Sequence, residues 1–399
     1  MAAYEPQVIV VGGGPVGLMA AYRLNAFGIP CTVVEAAPEV AEDLRASTFH
    51  PPTLDMLGEY GLDRPLIEQG LICPSWQVRQ HETHERAVFD LSVLSGATDH
   101  PYRLQCEQYR LSRLLVEELR GAPFVDLRLG TRLERLEQDE DGVRAHVRQG
   151  DTESVITGRF LIGADGVRST VRDQVGLALQ GTTYPETTIL SITPFPFEAH
   201  LPGLSNVNYV WSGQGTFSLL RLRGFWRCSL YPDQGESVEQ ATRPEAIERK
   251  LQAIVPTGVP YEVHKVHPYR VHMRIVDDYR RGRVVLAGDA AHVNSPSGGM
   301  GMNGGVHDAF NLTAALKDIW GGADIGLLDR YTRQRRPVAE QEILTQAHRN
   351  RTRMQERDPA RRREILAELQ RIAADPQAAK AYVLSSSMIE GLRKAKTIA

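Results

Sequence analysis

The chain has 399 residues, enough to bury a large core and to fold as two or more lobes. Hydrophobic content of 42%, charged content of 24% and a net charge of −3 suit a globular enzyme and argue against nucleic acid or an anionic membrane as the main partner. No stretch approaches the ~18 consecutive apolar residues of a membrane helix, and the N-terminus lacks a signal peptide's basic and apolar regions. Cys31, Cys73, Cys106 and Cys228 lie too far apart for a zinc motif or a disulfide framework, so no metal is expected and a reducing cytoplasm is.

Taken in order, Gln7–Val11 predicts a short β-branched strand. Gly12-Gly13-Gly14-Pro15-Val16-Gly17 follows, then a helix over Leu18–Phe27 and a strand Cys31–Val34 ending on Glu35. This is a βαβ opening with G-x-G-x-x-G between strand and helix, and an acid 18 residues after the last glycine. Gly12 permits the tight turn, Gly14 lets a pyrophosphate approach, and Gly17 lets helix and strand pack closely. The helix N-terminus offers N–H groups and a positive dipole end to phosphates, and Glu35 can accept hydrogen bonds from a ribose. The motif leaves NAD, NADP and FAD open.

Further on, Thr53–Tyr60 predicts a helix begun by Pro51 and Pro52. Trp76–Val93 predicts strands, Pro101–Cys106 an extended segment and Glu107–Leu119 an amphipathic helix. Val125–Leu129, Thr131–Gln138, Val143–Gln149 and Ser154–Ile162 predict one meander, ending in Gly163-Ala164-Asp165-Gly166. Aromatic-rich strands over Thr187–Thr193, Val207–Trp211, Thr216–Arg223 and Trp226–Tyr231, with a helix at Pro244–Ile254, predict an inserted sheet-rich lobe. The strand Arg283–Leu286 ends in Gly288-Asp289, a glycine-rich loop follows, and a helix starts near Gly304. Everything from Leu327 onward is helical. In the arginine-rich run Arg349–Arg363, interleaved acids favour a solvated helix face or a subunit contact over a nucleic-acid patch.

The expected architecture is therefore mixed α/β: a Rossmann-like dinucleotide-binding domain (residues 1–75, 102–182 and 279–340), an inserted substrate-binding sheet domain (76–101 and 183–278) and C-terminal helices (341–399). Gly299-Met300-Gly301-Met302-Asn303-Gly304 repeats the G-x-G-x-x-G pattern. It does not follow its strand directly, since nine residues intervene after Asp289, and no strand with a terminal acid follows its helix. A helix N-terminus here would instead stabilise a flavin ring that becomes negative on reduction.

Together these segments resemble the single-component FAD-dependent aromatic hydroxylases, the para-hydroxybenzoate hydroxylase family, from about Gln7 to about Arg336. The para-nitrophenol monooxygenase branch is closer still, through segments like His267–His272 and Arg280–His292 and the Pro-Pro-Thr at 51–53. The resemblance implies that Gly12, Gly14, Val16 and Gly17 hold the FAD pyrophosphate and Glu35 its adenosine ribose, with Arg45 nearby. It implies Gln108 and Asp289, with Gly288, at the ribityl chain, and Asp165 with Gly166 serving both FAD and the nicotinamide cofactor. It implies Gly301, Met302 and Asn303 at the flavin's pyrimidine end, and Pro296 close to flavin and substrate.

The implied cycle is reduction of FAD by NADH or NADPH, addition of O2 to give a flavin hydroperoxide, and attack of its terminal oxygen on an electron-rich aromatic carbon. The partners are then a small aromatic, phenol-type substrate and O2. A base or a cation near the substrate oxygen would favour its more reactive phenolate form; His50, His272 and His292 are candidates, with Arg221 and Arg223 as a same-face pair and Tyr209 and Trp211 as pocket material. Rival readings are another oxidoreductase on this fold, such as a halogenase or a prenyl-chain reductase, and a non-catalytic FAD-binding protein. The Trp-x-Trp-x-Ile-Pro motif of the halogenases is absent. The roughly sixty residues after Arg336 predict helices that cover the active site or form a homodimer contact, and no third domain.

Overall fold

The computed structural model describes residues 5–42, 46–295 and 298–399. Its first sheet has six strands in the order Arg280–Arg281, Val284–Leu286, Phe160–Gly163, Val8–Val11, Cys31–Glu35 and Val125–Leu129, parallel except at the Arg280–Arg281 edge. Val8–Val11 lies at its centre and every one of its side chains is buried. That explains a run of β-branched residues without alternation: a parallel strand is covered on both faces. The helix Pro15–Ala26 follows, with proline in its first turn where no donor is needed.

The second sheet has eight strands, in the order His292–Val293, Lys265–Ile275, Gln180–Thr193, Phe225–Leu230, Gly215–Leu222, Val207–Ser212, Ser75–Gln80 and Arg86–Asp90. Paired residues share a face. Leu190, Ser229, Ser218 and Tyr209 lie in register on one side, while Trp226 and Arg221 share the other. The second face carries Phe217, Leu219 and Trp226, packed with Phe197 beneath the helix Pro244–Ile254. The first turns inward, toward the nucleotide-binding sheet and the C-terminal helices.

Those helices, Thr345–Gln355, Pro359–Ala374, Pro376–Ser386 and Ile389–Thr397, cover the inward face at its Ser75–Asp90 end. Tyr382 stacks on Phe89 at 4.6 Å, and Trp76 stacks on Phe89 at 4.6 Å and on Tyr382 at 6.1 Å. Leu366, Leu369 and Val383 fill the layer. The arginine-rich run is not a solvated face throughout. Arg362 is buried and donates to the Ser212 carbonyl at 2.8 Å, and Arg351 lies 3.7 Å over the Tyr184 ring and pairs with Glu186. Among the described residues no helix is long and apolar enough to cross a membrane.

Two readings from the sequence change. The expected single meander divides: Thr131–Gln138, Val143–Gln149 and Thr152–Gly158 form an antiparallel sheet of three, while Val125–Leu129 and Phe160–Gly163 join the parallel sheet. Apolar content gave no means of telling these partners apart, since pairing is a long-range choice. The strand Gln180–Thr193 also runs across the expected division at residue 182, and His292–Val293 pairs into the second sheet from beyond residue 278, so the sheets interlock.

Leu366→Ala should destabilise the protein by ~2–5 kcal/mol, the usual loss for a truncated core leucine, read by urea unfolding. A change below about 0.5 kcal/mol would mean the C-terminal helices are not integral to the core.

Candidate functional site

The first glycine loop separates two demands on glycine. Gly12 has φ +115°, and a Cβ there would meet the Ala164 carbonyl oxygen at 2.3 Å. A Cβ at Gly17 would lie 2.0 Å from the Gly12 carbonyl oxygen. Both are required by the fold. Gly14 is different: its backbone is extended and, its chain neighbours aside, no atom of the described residues lies within 4 Å of the Cβ position. The open space above a helix N-terminus fits a pyrophosphate. Glu35 ends its strand beside this loop, accepting from the backbone N–H of Gly13 and, at 2.7 Å, of Ala37. These bonds hold the carboxylate beside the glycine loop.

The other motifs converge on the same turn. Cβ atoms at Gly288 and Gly305 would meet Val16 Cγ2 at 3.0 and 2.5 Å, so Val16 is held between the Gly-Asp turn and the helix Gly301–Trp320. Asp289 lies beside Gly301, where a Cβ would come within 3.9 Å of its Oδ1. The buried Asp308 fixes this junction. It accepts from Gly288 N at 3.1 Å, His292 Nε2 at 2.7 Å and Arg335 Nε at 2.7 Å. Burial alone would raise its pKa, but Arg335 and His292 overcome that and hold it down at about 2.

The glycine-rich loop is fixed by Asn303. Its Oδ1 accepts from His50 N at 2.9 Å, and its Nδ2 donates to the carbonyls of Thr48 (2.8 Å) and Gly299 (2.6 Å). His50 caps the helix Pro51–Gly58 and is fully buried; its Nε2 lies 2.7 Å from the Gly298 carbonyl. Since a carbonyl only accepts, Nε2 carries the hydrogen and Nδ1 is left as a lone pair, with no partner among the described residues. Burial first, then the charge of Arg103, push the His50 pKa well below the ordinary histidine value.

Other expected residues are distributed around this centre. Asp165 sits at the end of the strand Phe160–Gly163, accepting from Ser169 Oγ at 2.5 Å and Val171 N at 3.1 Å, and Gly166 has φ +79°. Gln108 opens the helix Gln108–Leu119, its N–H donating to the Ala46 carbonyl. Met302 is buried in the first turn of its helix. Arg45 and Pro296 lie outside the described residues. His292 is fully buried with its Nε2 committed to Asp308, which makes it a strut rather than a proton handler. His272 bonds Thr183 at 3.1 Å on the far side of the Asp165–Gly166 turn, where a cleft of about 230 Å³ is lined by Val167, Arg172, His272 and Arg274.

Tyr209 and Trp211 do reach the inward face, but Trp211 packs against the C-terminal helices, donating to the Arg353 carbonyl at 3.0 Å. Arg221 and Arg223 lie on opposite business to the site: Arg221 pairs with Glu198 at 2.6 Å on the outer face and Arg223 donates to the Glu68 carbonyl at 2.6 Å. They are not brought to the centre. The alternation that put them on one face of their strand could not say which face.

The structure brings in three residues that the sequence reading passed over. Arg103 and Gln105 lie on the short strand Arg103–Gln105, which pairs with Thr48–Phe49, and Gln105 Oε1 accepts from Thr48 Oγ1 at 3.1 Å. Arg227, from the inward face of the second sheet, reaches Ser47 Oγ at 3.2 Å. All three are buried. Their only sequence signal is negative, a charged or polar residue inside an otherwise apolar strand.

The family described as FAD binding domain matches residues 5–346 of the chain. The chain is 36% identical over 391 residues to the para-nitrophenol 4-monooxygenase of Pseudomonas sp. (strain WBC-3), covering 97% of this chain and 96% of that protein. It is 35% identical over 345 residues to the pentachlorophenol 4-monooxygenase of Sphingobium chlorophenolicum, covering 84% of this chain and 63% of the relative. The crystal structure of p-nitrophenol 4-monooxygenase from Pseudomonas putida DLL-E4 superposes with a TM-score of 0.90 at 33% identity, over 98% of each chain.

Gly14→Val should leave the apoprotein's melting temperature unchanged while FAD retention, read from flavin absorbance, falls at least about tenfold; Gly17→Ala should destabilise the fold itself, because its clash is with protein. For Asp308, a folded pKa of about 2 against an ordinary 3.8 gives stabilisation that is complete above 3.8 and lost as pH falls toward 2. Acid unfolding of the wild type should include this component, and Asp308→Asn should lack it while being about 3–5 kcal/mol less stable near neutrality.

Proposed function

Because the chain belongs to the family of single-component FAD-dependent aromatic hydroxylases, we propose that it hydroxylates a small phenol-type molecule with O2, using NADH or NADPH as the reductant. The observation that carries this reading is the convergence of the glycine loop, the Gly-Asp turn and the Gly298–Asn303 loop on Val16 and Asp308, opposite the inward face of the second sheet. Relatives that act on nitrophenol and pentachlorophenol support the substrate class.

Gly12, Gly14 and Gly17 with the first helix would hold the FAD pyrophosphate, Glu35 the adenosine ribose, Asp289 the ribityl chain, and Gly301, Met302 and Asn303 the pyrimidine end. Bound FAD would supply the activation of O2 and the transfer of one oxygen atom to the ring. The chain's part is to position, to exclude water and to govern charge. Asn303 serves the first by tying its helix to Thr48 and His50. The C-terminal helices serve the second by closing one end of the inward face.

His50 is a neutral acceptor at working pH, since burial keeps its pKa low; it orients groups near the Gly298 carbonyl and does not store a proton. For the reductant, the cleft lined by Arg172, His272 and Arg274 beside Asp165 and Gly166 supports docking of the nicotinamide dinucleotide's phosphates.

Stopped-flow reduction of the holoenzyme by NADH or NADPH, across a panel of substituted phenols and pyridinols, tests this. A substrate should accelerate flavin reduction and couple oxygen uptake to a hydroxylated product. Reduction indifferent to every phenol, or turnover that depends on halide, would overturn the proposal.

A further inference from the structure

Buried histidines in this chain differ in what their ring nitrogens meet. His50 faces a carbonyl at 2.7 Å and His307 a threonine hydroxyl at 2.9 Å, and burial keeps both neutral. His100 is set differently. Its side chain is 11% exposed, its Nδ1 lies 2.7 Å from Asp55 Oδ1 and its Nε2 lies 3.1 Å from Asp63 Oδ2. A carboxylate without a proton only accepts, so both contacts together require a hydrogen on each ring nitrogen, which makes the ring a cation. The same Asp55 oxygen accepts from Thr98 Oγ1 at 2.9 Å and from Asp99 N at 3.2 Å. The titratable groups facing the ring are Asp55 and Asp63 from two neighbouring helices and Tyr102 from its own segment. The Tyr102 ring centre is 5.7 Å away, and burial first, then the charges of Asp63 and Asp55, push its pKa up. Other charges nearby in sequence point elsewhere: Glu59 pairs with Arg23 at 3.9 Å, and Arg64 and Asp99 are exposed.

These three side chains join the parts of the chain that build one platform. A small sheet has Thr48–Phe49 at one edge, Arg103–Gln105 in the centre and Leu71–Cys73 at the other edge. Asp55 lies on the helix Pro51–Gly58, which leaves the first edge through His50. Asp63 opens the helix Asp63–Gln69, which leads into the other edge. His100 stands three residues before the central strand. One ring therefore ties the helix leaving one edge to the helix entering the other, where the central strand begins. The junction has little slack, since a Cβ at Gly58 would lie 3.6 Å from His100 Cε1 and 3.5 Å from the Asp63 carboxyl. The first edge belongs to the site: Asn303 donates to the Thr48 carbonyl and accepts from His50 N. A shift of the helix Pro51–Gly58 would be carried into those bonds.

A ring that must be charged to make both contacts renders the platform sensitive to protons. Histidine is the side chain whose charge ordinarily changes between about pH 5 and 8. Once neutral, the ring carries one hydrogen for two carboxylates, and its remaining lone pair faces an anionic oxygen, which repels it. Resting on the hydroxylase reading above, we propose that His100 is a positioning residue for the site, a proton-held clip between Asp55 and Asp63 that keeps Thr48 and His50 against the Gly298–Asn303 loop. With the clip closed, the contacts of Asn303 hold and water is kept from the site. With it open they loosen, and turnover becomes uncoupled: NAD(P)H, a proton and O2 give NAD(P)+ and hydrogen peroxide, and no oxygen reaches the ring. The clip's own proton is exchanged with solvent. His100 acts only through the elements it joins.

Two measurements on the FAD-loaded enzyme test this. The first needs no turnover: nitrogen-15 NMR of histidine-labelled protein, with the His100 signals assigned by their loss in His100→Gln. At about pH 6 both ring nitrogens of His100 should be protonated, and in Asp63→Asn the second proton should be lost at a lower pH than in the wild type. A neutral wild-type ring at about pH 6 overturns the clip. The second measures hydrogen peroxide formed per NAD(P)H consumed, with a phenol that accelerates flavin reduction. In the wild type this fraction should rise at least about threefold between about pH 6 and about pH 8.5. His100→Gln should hold it high at both. His100→Arg, a permanent cation with donors for two carboxylates, should hold it low at both. Should His100→Gln fail to fold, Asp63→Asn should show the same high, flat profile. Variants that keep the wild-type pH profile overturn the positioning role, even where their melting temperatures fall. If no phenol accelerates flavin reduction, the positioning role falls with the hydroxylase reading, and the NMR spectrum alone decides whether the clip exists.

Discussion

The carboxylate of Asp308 is the point on which the functional half of the molecule depends. It is fully buried, and its acceptor sites are used by a backbone N–H of the Gly-Asp turn, by His292 and by Arg335. A single charge thereby joins the glycine-rich helix, the turn after Val284–Leu286 and the helix Leu327–Val338. Its interior cost is offset only because the Arg335 guanidinium, the His292 ring N–H and one peptide N–H meet it at once. Tyr331 adds a neutral brace by donating to the Leu286 carbonyl at 2.8 Å.

Close packing around glycine completes what Asp308 begins. Val16 presses into the spaces left by Gly288 and Gly305, so the first helix, the Gly-Asp turn and the second glycine-rich segment are fixed relative to one another by contact rather than by loops. A methyl group at Gly305 would meet Val16 at 2.5 Å. The two glycine motifs that look alike in the sequence thus have different duties. The first makes a cradle with open space above Gly14. The second lets two layers approach and starts a helix whose first turn, held by Asn303, borders the site.

Electrostatics divide the interior into matched and unmatched regions. Around Asp308 every charge has its counterpart. Between the strand Arg103–Gln105 and the inward face of the second sheet, Arg103 and Arg227 are buried and no carboxylate among the described residues pairs with either. Packing explains part of this, since Arg103 lies against Trp76 and under the carbonyl of Ser386, at the end of the helix Pro376–Ser386. The C-terminal helices in this way hold Arg103 as well as covering Trp76, Phe89 and Trp211. His50 is kept neutral in the same environment, its Nε2 turned to Gly298 and its Nδ1 left as an acceptor.

Local patterns were sufficient for much of this in the sequence. The β-branched run before Gly12, the acid at Glu35, the Asp165-Gly166 and Gly288-Asp289 turns and the helix after Met300 each carry their signal within a few residues, because turn geometry and helix initiation are local requirements. The mixed α/β class and the FAD-binding family followed from their order. What tertiary structure alone decided is which strands pair and which way a side chain faces. Val125–Leu129 and Phe160–Gly163 left the meander for the parallel sheet, Arg221 turned outward, Arg223 fell in a hairpin turn against Glu68, and His292 became a strut once Asp308 met it. Arg103 and Arg227, some 120 residues apart, meet through Ser47 and Thr48. Their proximity is a property of three-dimensional neighbourhood, which no spacing along the chain encodes.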